Sequence, residues 1–267
     1  MKYPIVVLDL DGTLLHSDKR ISERNYKAIM ACAERGVRFI FATARPPRAV
    51  RLFLQDELLG LGSFIYYNGA YIRCPLTGVH LRETIEPKIT ADILDYCLSV
   101  HPDLDLSLEA NDEWISIREY DEATLMRVKG KPVVKPLQEL RTTEAAKILF
   151  TGKIDLAAFR NKFESVVHIL VTDEGHLVQI SSIRASKEQA LITLCKEMGN
   201  TPDQVMVFGD DYNDLGLFRI CGWPVAMGNA IEELKALAKE VTDTNDRDGV
   251  ARVLEKVYDD SGKRWSR

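Results

Sequence analysis

Two short, wholly apolar runs, residues 5–8 (IVVL) and 205–208 (VMVF), stand near opposite ends of the chain and empty abruptly into carboxylates. The first opens into Asp9-Leu10-Asp11-Gly12-Thr13, the second into Gly209-Asp210-Asp211-Tyr212-Asn213-Asp214. A continuous apolar run with polar groups only at its C-terminal end is the pattern of a strand buried on both faces of a parallel sheet. Ligands bind at that end in open α/β sheets, so one feature constrains both the fold and the place of any site.

The sequence around these runs agrees. After the first come a helical stretch over residues 22–35, stopped by Gly36, the apolar segment VRFIFAT, a helix over 47–58 and the segment FIYY. This reads as βαβαβ. The middle of the chain changes character, with strand-like pieces at 103–108, 114–118, 146–150, 166–171 and 177–181 and helices near 90–100 and 155–163. From Ser186 the first pattern resumes: a helix to Met198, the strand QVMVFGD, a short helix from Asp214, WPVAMGNA, a helix from Ile231 and a last one from Gly249. The expected architecture is an α/β core with a Rossmann-like parallel sheet, drawn from residues 1–82 and 185–267, and an α+β domain inserted at 83–184. The chain would cross between them near Arg82 and Arg184, and the charged tail after Tyr258 is expected to fray.

Bulk properties narrow the partners. With 267 residues, 46% of them hydrophobic, the chain can build sizeable cores. A net charge of -5 gives no basic footprint for nucleic acid, and no apolar run approaches a bilayer span. The N-terminal apolar run is too short for a signal peptide and is interrupted at once by acids. Cys32, Cys74, Cys97, Cys195 and Cys221 are odd in number and show no CxxC spacing, so packed thiols in a reducing, cytoplasmic compartment are expected. His16, His80, His101, His168 and His176 show no ligand spacing, while Trp114 and Trp223 read as core and Trp265 as tail. A small molecule is the expected partner, with no nucleic acid, membrane or obligate protein partner implied.

The chemistry lies in the acids. Asp9 and Asp11 at one strand end repel each other unless a cation joins them. Magnesium suits hard oxygen ligands and keeps room for water and a phosphate oxygen. Asp210 can complete that site, and Asn213 can orient Asp9 or a phosphate. Asp214 opens a helix, either as an N-cap or as support for the metal, and Asp211 reads as solvated. Thr43-Ala44-Arg45 closes a strand just before Pro46-Pro47, placing a hydroxyl and backbone N–H groups at the ligand edge. Arg45 would touch a substrate or pair with an acid. Lys187 follows Ser186 at a helix start and adds a point charge. Taken singly, a DxD also occurs in turns, and Thr43 and Lys187 are common strand and surface residues.

Taken in order, DLDGT, T-x-R after a second strand, a helix-opening lysine and GDxxND after a later strand resemble the haloacid dehalogenase superfamily of aspartate-nucleophile phosphatases. The insertion between the second and third motifs resembles the large C2B-type cap of its Cof-type subfamily IIB. YNGA, SKEQAL, VAMGNA and DRDGVA are similar to segments that recur there, so the resemblance spans nearly the whole chain. It implies Asp9 as nucleophile and metal ligand, Asp11 as general acid and base whose backbone carbonyl also binds Mg2+, and Asp210 as the remaining protein ligand. It further implies Thr43, Lys187 and Asn213 as phosphate contacts, with backbone amides at Leu10 and Ala44, and Asp214 in support.

Two positions depart from the family pattern, Ala44 and Glu188, where glycine is usual. In the family the segment holding His16 forms a flap beside the site, and the cap sets specificity, here through loops near Glu109 to Glu113 or near Arg118. The implied activity is hydrolysis of small phosphorylated metabolites, sugar phosphates by analogy. The alternatives are a phosphomutase like phosphomannomutase, and a phosphoacceptor or metal-binding regulatory module without turnover. Asp11 would need a raised pKa to serve as a proton donor.

Overall fold

The computed structural model describes residues 2–120, 131–152, 154–172 and 177–258. The tail after Tyr258 with Trp265, and likewise His176, lie outside the described residues. Along the chain run strands β1 (Ile5–Asp9), β2 (Arg38–Ala42), β3 (Ser63–Tyr66), β4 (Tyr71–Cys74) and β5 (Val79–Arg82). Then come β6 (Asp105–Ala110), β7 (Glu113–Ser116), β8 (Val133–Val134), β9 (Lys147–Thr151), β10 (Val167–Thr172) and β11 (Leu177–Ser182), and last β12 (Val205–Gly209), β13 (Trp223–Ala226) and β14 (Glu240–Val241). They fall into two compact units, Met1–His80 with Ser186–Arg267, and Leu81–Ala185.

The first unit is built on an eight-stranded sheet ordered β14-β13-β12-β1-β2-β3-β4-β5. β1 lies inside it, parallel to β12 and β2, with Val7 opposite both Val207 and Ile40. Ile5, Val6, Val7 and Leu8 are wholly buried, and each such side chain is worth about 1.5–3 kcal/mol. That burial fixes where the strand must stop, which holds Asp9 and its neighbours at the sheet end. The helix Glu23–Glu34, capped by Ser22 accepting from the Asn25 N–H, packs beside the last helix, Gly249–Tyr258. Asn25 in turn accepts from the Ala251 N–H at 2.9 Å.

Two details differ from the sequence expectation. The helix expected over 47–58 is broken into Pro47–Val50 and Asp56–Leu61, because Gln55 is extended and Asp56 and Glu57 start a fresh N-terminal turn where acids are favoured. The sheet is also not purely parallel: β4 runs antiparallel to β3 and carries the sheet on towards β5. Its alternating half-buried and buried residues belong to a sheet margin, unlike the continuous burial of β1.

The second unit is α+β, with a six-stranded sheet ordered β10-β11-β9-β6-β7-β8. Its pairs are antiparallel except β7 with β8. Leu106, Leu108, Ile148, Phe150 and Ile180 from the strands share a core with Ile93, Leu94, Leu140 and Phe159 from helices Pro87–Val100, Leu137–Arg141 and Leu156–Phe163. Alternation then places Ser107, Glu109 and Lys147 on the opposite face. Glu109 and Glu113 are therefore strand residues, and the loop expected there is only the turn at Asn111 and Asp112. Trp114, expected as core, is half-buried and sits opposite Glu109 in β7. All five cysteines are buried and unpaired. No helix among the described residues is long and apolar enough to cross a membrane.

Candidate active site

The first unit gathers its acids around one buried lysine. Lys187, at the first position of the helix Lys187–Glu197, donates to Asp9 Oδ1 at 2.6 Å and to Asp214 Oδ1 at 2.8 Å. Carboxylate oxygens of Asp9, Asp210 and Asp214 lie within 4.8 Å of one another. Three carboxylates against one ammonium leave two negative charges unbalanced. Burial raises the Asp9 pKa well above the usual carboxylate range; Lys187 opposes this, and Asp214 and Asp210 add to it. Burial likewise lifts Asp210 to about 7, against a hydrogen bond from Thr13 and with the help of Asp214. Burial alone would lower Lys187, but Asp214 and Asp9 outweigh it and hold its pKa above that of an ordinary lysine. The donor set is all hard oxygen, short by two charges, and so fits a divalent cation such as magnesium.

Local backbone makes this crowding possible. Gly12 sits at φ 81°, and a Cβ there would fall 2.1 Å from Asp210 Oδ2. The turn after β1 therefore needs glycine twice over, for its left-handed backbone and for the approach of Asp210. Thr13, wholly buried, donates from its hydroxyl to Asp210 Oδ1 at 2.8 Å. Asp214 precedes the helix Leu215–Ile220 but its side chain does not cap it. Its Oδ2 accepts from the Asp210 and Asp211 N–H groups, closing a capping box over the turn Tyr212–Asp214. It thus fixes the loop that presents Asp210 while its other oxygen holds Lys187. Asp211 is exposed and caps the same turn.

The remaining expected residues lie at the same sheet edge. Asp9 is paired with Ala42 in the β1–β2 ladder, which brings Leu10 and Thr43–Ala44 to neighbouring strand ends. Thr43 Oγ1 accepts from the Arg45 N–H at 3.1 Å. Asn213 donates to Asn68 Oδ1 at 3.1 Å. Asn68 was not among the residues expected at the site. It and Tyr67 both have positive φ, at 54° and 52°, and the Asn68 N–H donates to the Thr43 carbonyl at 2.9 Å. The following Gly69, at φ 109°, packs so closely on the backbone of Ser186 that a Cβ would come within 2.2 Å of its carbonyl oxygen. The turn thus seats the start of the Lys187 helix. An Asn-Gly pair after an apolar run is a turn signal visible in sequence, but its partner is not.

Asp11 differs from expectation. Its carboxylate is gripped by Arg45, with Nε on Oδ2 at 2.5 Å and Nη2 on Oδ1 at 2.6 Å, and by Lys19 Nζ at 2.8 Å. Burial pushes the Asp11 pKa up, but the hydrogen bonds and charges of Arg45 and Lys19 outweigh it and hold the group below the usual carboxylate range. The raised pKa expected of a proton donor is thus absent from this arrangement, and Arg45 pairs with an acid. The segment after the turn is tied down as well: His16 Nε2 meets Asp248 at 3.2 Å, Ser17 donates twice to Asp246, and Asn229 donates to the Gly12 carbonyl. The Glu188 carboxylate lies against Gly216 at the start of the helix Leu215–Ile220.

Comparison with known proteins agrees with this arrangement. A family model of haloacid dehalogenase-like hydrolases matches residues 6–254. The phosphatase YwpJ of Bacillus subtilis is 29% identical to this chain, over 95% of it and 99% of the relative. The 5-amino-6-(5-phospho-D-ribitylamino)uracil phosphatase YitU of the same organism is 28% identical, over 95% and 97%. The crystal structure of TM0651 from Thermotoga maritima superposes with a TM-score of 0.87 at 28% identity, covering 96% of this chain and 97% of that one. A match over nearly the whole length, on a sheet whose central strands end in paired acids, places the chain in the haloacid dehalogenase-like hydrolase family, as a Cof-type phosphatase.

Proposed function

We propose that this phosphatase is magnesium-dependent and hydrolyses small phosphorylated metabolites through an aspartyl-phosphate on Asp9. The observation that carries the reading is the buried Asp9 carboxylate at the end of β1, oriented by Lys187 and beside Asp210. A carboxylate oxygen of Asp9 attacks phosphorus in line, the P–O bond to the substrate breaks, and the alcohol leaves with a proton from Asp11. In the second step Asp11 takes a proton from water, the water oxygen attacks phosphorus, and Asp9 is released with free phosphate. Thr43, Asn213 and the backbone amides of Leu10 and Ala44 would hold the phosphoryl oxygens. Lys187 has three donors, two of which serve Asp9 and Asp214; the third serves the phosphate.

Asp9, Asp210 and the Asp11 backbone carbonyl would hold the metal, whose charge permits an anionic nucleophile to meet an anionic ester. Asp11 can give up a proton only once Arg45 and Lys19 let go of it. A phosphate dianion is the natural competitor for both cations, so substrate itself would free the general acid. The direct test is phosphate release from a panel of phosphorylated metabolites with magnesium and with a chelator. Release that is indifferent to magnesium would remove the metal from the mechanism.

Two further outcomes follow from the site. Between the ordinary carboxylate value of 3.8 and about 7, native Asp210 keeps a proton that the unfolded chain has lost. The native state then binds more protons, so in chelator stability falls as pH rises through that window. Magnesium competes with the proton and stabilises most above it. Melting curves at several pH values, with and without magnesium, check this; a flat profile that magnesium does not move would contradict it. Second, Gly12→Ala should cost about 1–2 kcal/mol for its left-handed backbone alone and displace Asp210. Melting should show the first loss, and a raised magnesium requirement for turnover the second.

A further inference from the structure

VAMGNA and DRDGVA hold none of the carboxylates or phosphate contacts of the site, yet both close on it within the first unit. The first segment is hooked by its backbone to the loop after β12: the Met227 N–H donates to the Gly209 carbonyl at 3.1 Å, and the Ile231 N–H to the Asp210 carbonyl at 3.0 Å. Between these two points Asn229 Nδ2 reaches across to the turn after β1 and donates to the Gly12 carbonyl at 2.8 Å. Asn229 Oδ1 accepts from the Asn245 N–H at 3.0 Å. Asn245, itself buried, donates from Nδ2 to the Leu15 carbonyl at 2.9 Å. Leu15 in turn is joined to the strand end, with its N–H on the Leu10 carbonyl at 2.8 Å and an isolated bridge to Asp11. Asp246 completes the hold by accepting from the N–H and the hydroxyl of Ser17, at 2.7 and 2.6 Å.

Asp9 on one side and Asp210 and Asp214 on the other crowd like charges between the turn after β1 and the loop after β12, so the two backbones are pushed apart. Thr13 joins them directly, but through the Asp210 carboxylate that a cation would also need. The two asparagines act on backbone carbonyls instead, and leave every carboxylate oxygen to the cation. A side-chain amide suits position 229 because it offers a donor to the Gly12 carbonyl and an acceptor to the Asn245 N–H at once; an ionised carboxylate there could only accept. Groups that orient metal ligands from behind set metal affinity nearly as strongly as the ligands themselves. We propose that Asn229 and Asn245 are positioning residues that tie the turn after β1 to the loop after β12, and that the spacing they fix sets the affinity of the site for a divalent cation. The second part rests on the magnesium dependence proposed above.

The test titrates magnesium chloride calorimetrically into chelator-stripped protein, without substrate. Asn229→Ala, Asn229→Asp and Asn245→Ala should each weaken binding about tenfold or more, the scale on which groups that orient metal ligands are felt. Asn229 is exposed, so neither of its substitutions disturbs the core. Asn229→Asp is the sharper variant, because it still accepts from Asn245 and adds a negative charge that would by itself strengthen cation binding. Arg24→Ala, which breaks the Arg24–Glu255 pair elsewhere in the same unit, should leave the affinity within about twofold. Asparagine variants within about twofold of wild type, tighter binding by Asn229→Asp, or an equal loss in Arg24→Ala overturns the inference. If the wild type itself takes up no magnesium, the magnesium reading has failed on its own. Hydrogen exchange in chelator then decides the tie: faster exchange in Asn229→Ala at both 12–16 and 209–214, with Arg24→Ala unchanged there, supports it. Faster exchange in only one of the two segments, or in neither, overturns it.

Discussion

Asp9→Asn is expected to lower phosphate release by about 10⁴-fold or more, the scale on which loss of a covalent nucleophile is felt. An amide oxygen cannot form the mixed anhydride that divides the displacement into two steps. The substitution should leave the fold intact, because asparagine has the size of aspartate and its Oδ1 can still accept from Lys187 at the 2.6 Å contact. The sign of the stability change is informative too. Removing one of three carboxylates leaves Lys187 with Asp214 as a balanced pair and Asp210 as the single excess charge. In chelator at neutral pH, where burial opposes ionisation of Asp9, the variant should therefore melt no lower than the wild type. Paired melting curves and steady-state assays check both parts. A folded variant that keeps turnover within about tenfold of wild type would sink the nucleophile assignment.

What could be read from the sequence, and what could not, divides along a physical line. β1 and β12 were legible because a strand buried on both faces must be apolar throughout, and IVVL and VMVF are. Asp9, Asp210 and Lys187 were legible because each stands at the end of such a strand or the start of a helix. The partners of those residues were not. Asn68 reaches Asn213 from a turn with two consecutive left-handed residues, Tyr67 and Asn68, a conformation that no periodicity signals. Lys19 and Arg45 close on Asp11 from two separate loops, so the charge that sets its protonation lies in tertiary contact and not in spacing. Trp114 was misjudged for a related reason: its neighbour Ile115 faces the core, and a shift of one residue in a strand moves a side chain to the other face.

Lys187→Met tests the electrostatic core of the site more severely than any other change. It replaces a wholly buried ammonium by an apolar side chain of similar length and leaves Asp9, Asp210 and Asp214 together without a cation. Removing one partner of a buried ion pair typically costs about 3–5 kcal/mol, and here one ammonium serves two carboxylates. In chelator at neutral pH the transition of the unit that holds the site should fall accordingly. The deficit should narrow as pH is lowered, because Asp9 and Asp210, with pKa values raised by burial, take up the protons that relieve the repulsion. Magnesium should narrow it as well, by supplying the missing positive charge to the same oxygens. Turnover should remain lower by about 10²–10³-fold even with magnesium, the loss expected when a fixed donor to a reacting oxyanion is removed. A simple packing role for Lys187 predicts a different pattern, a stability loss that neither acid nor magnesium repairs. The two are separated by melting curves at pH 5 and pH 7.5, each with chelator and with magnesium. A variant whose deficit is the same in all four conditions would show that Lys187 is not the counter-charge of this cluster.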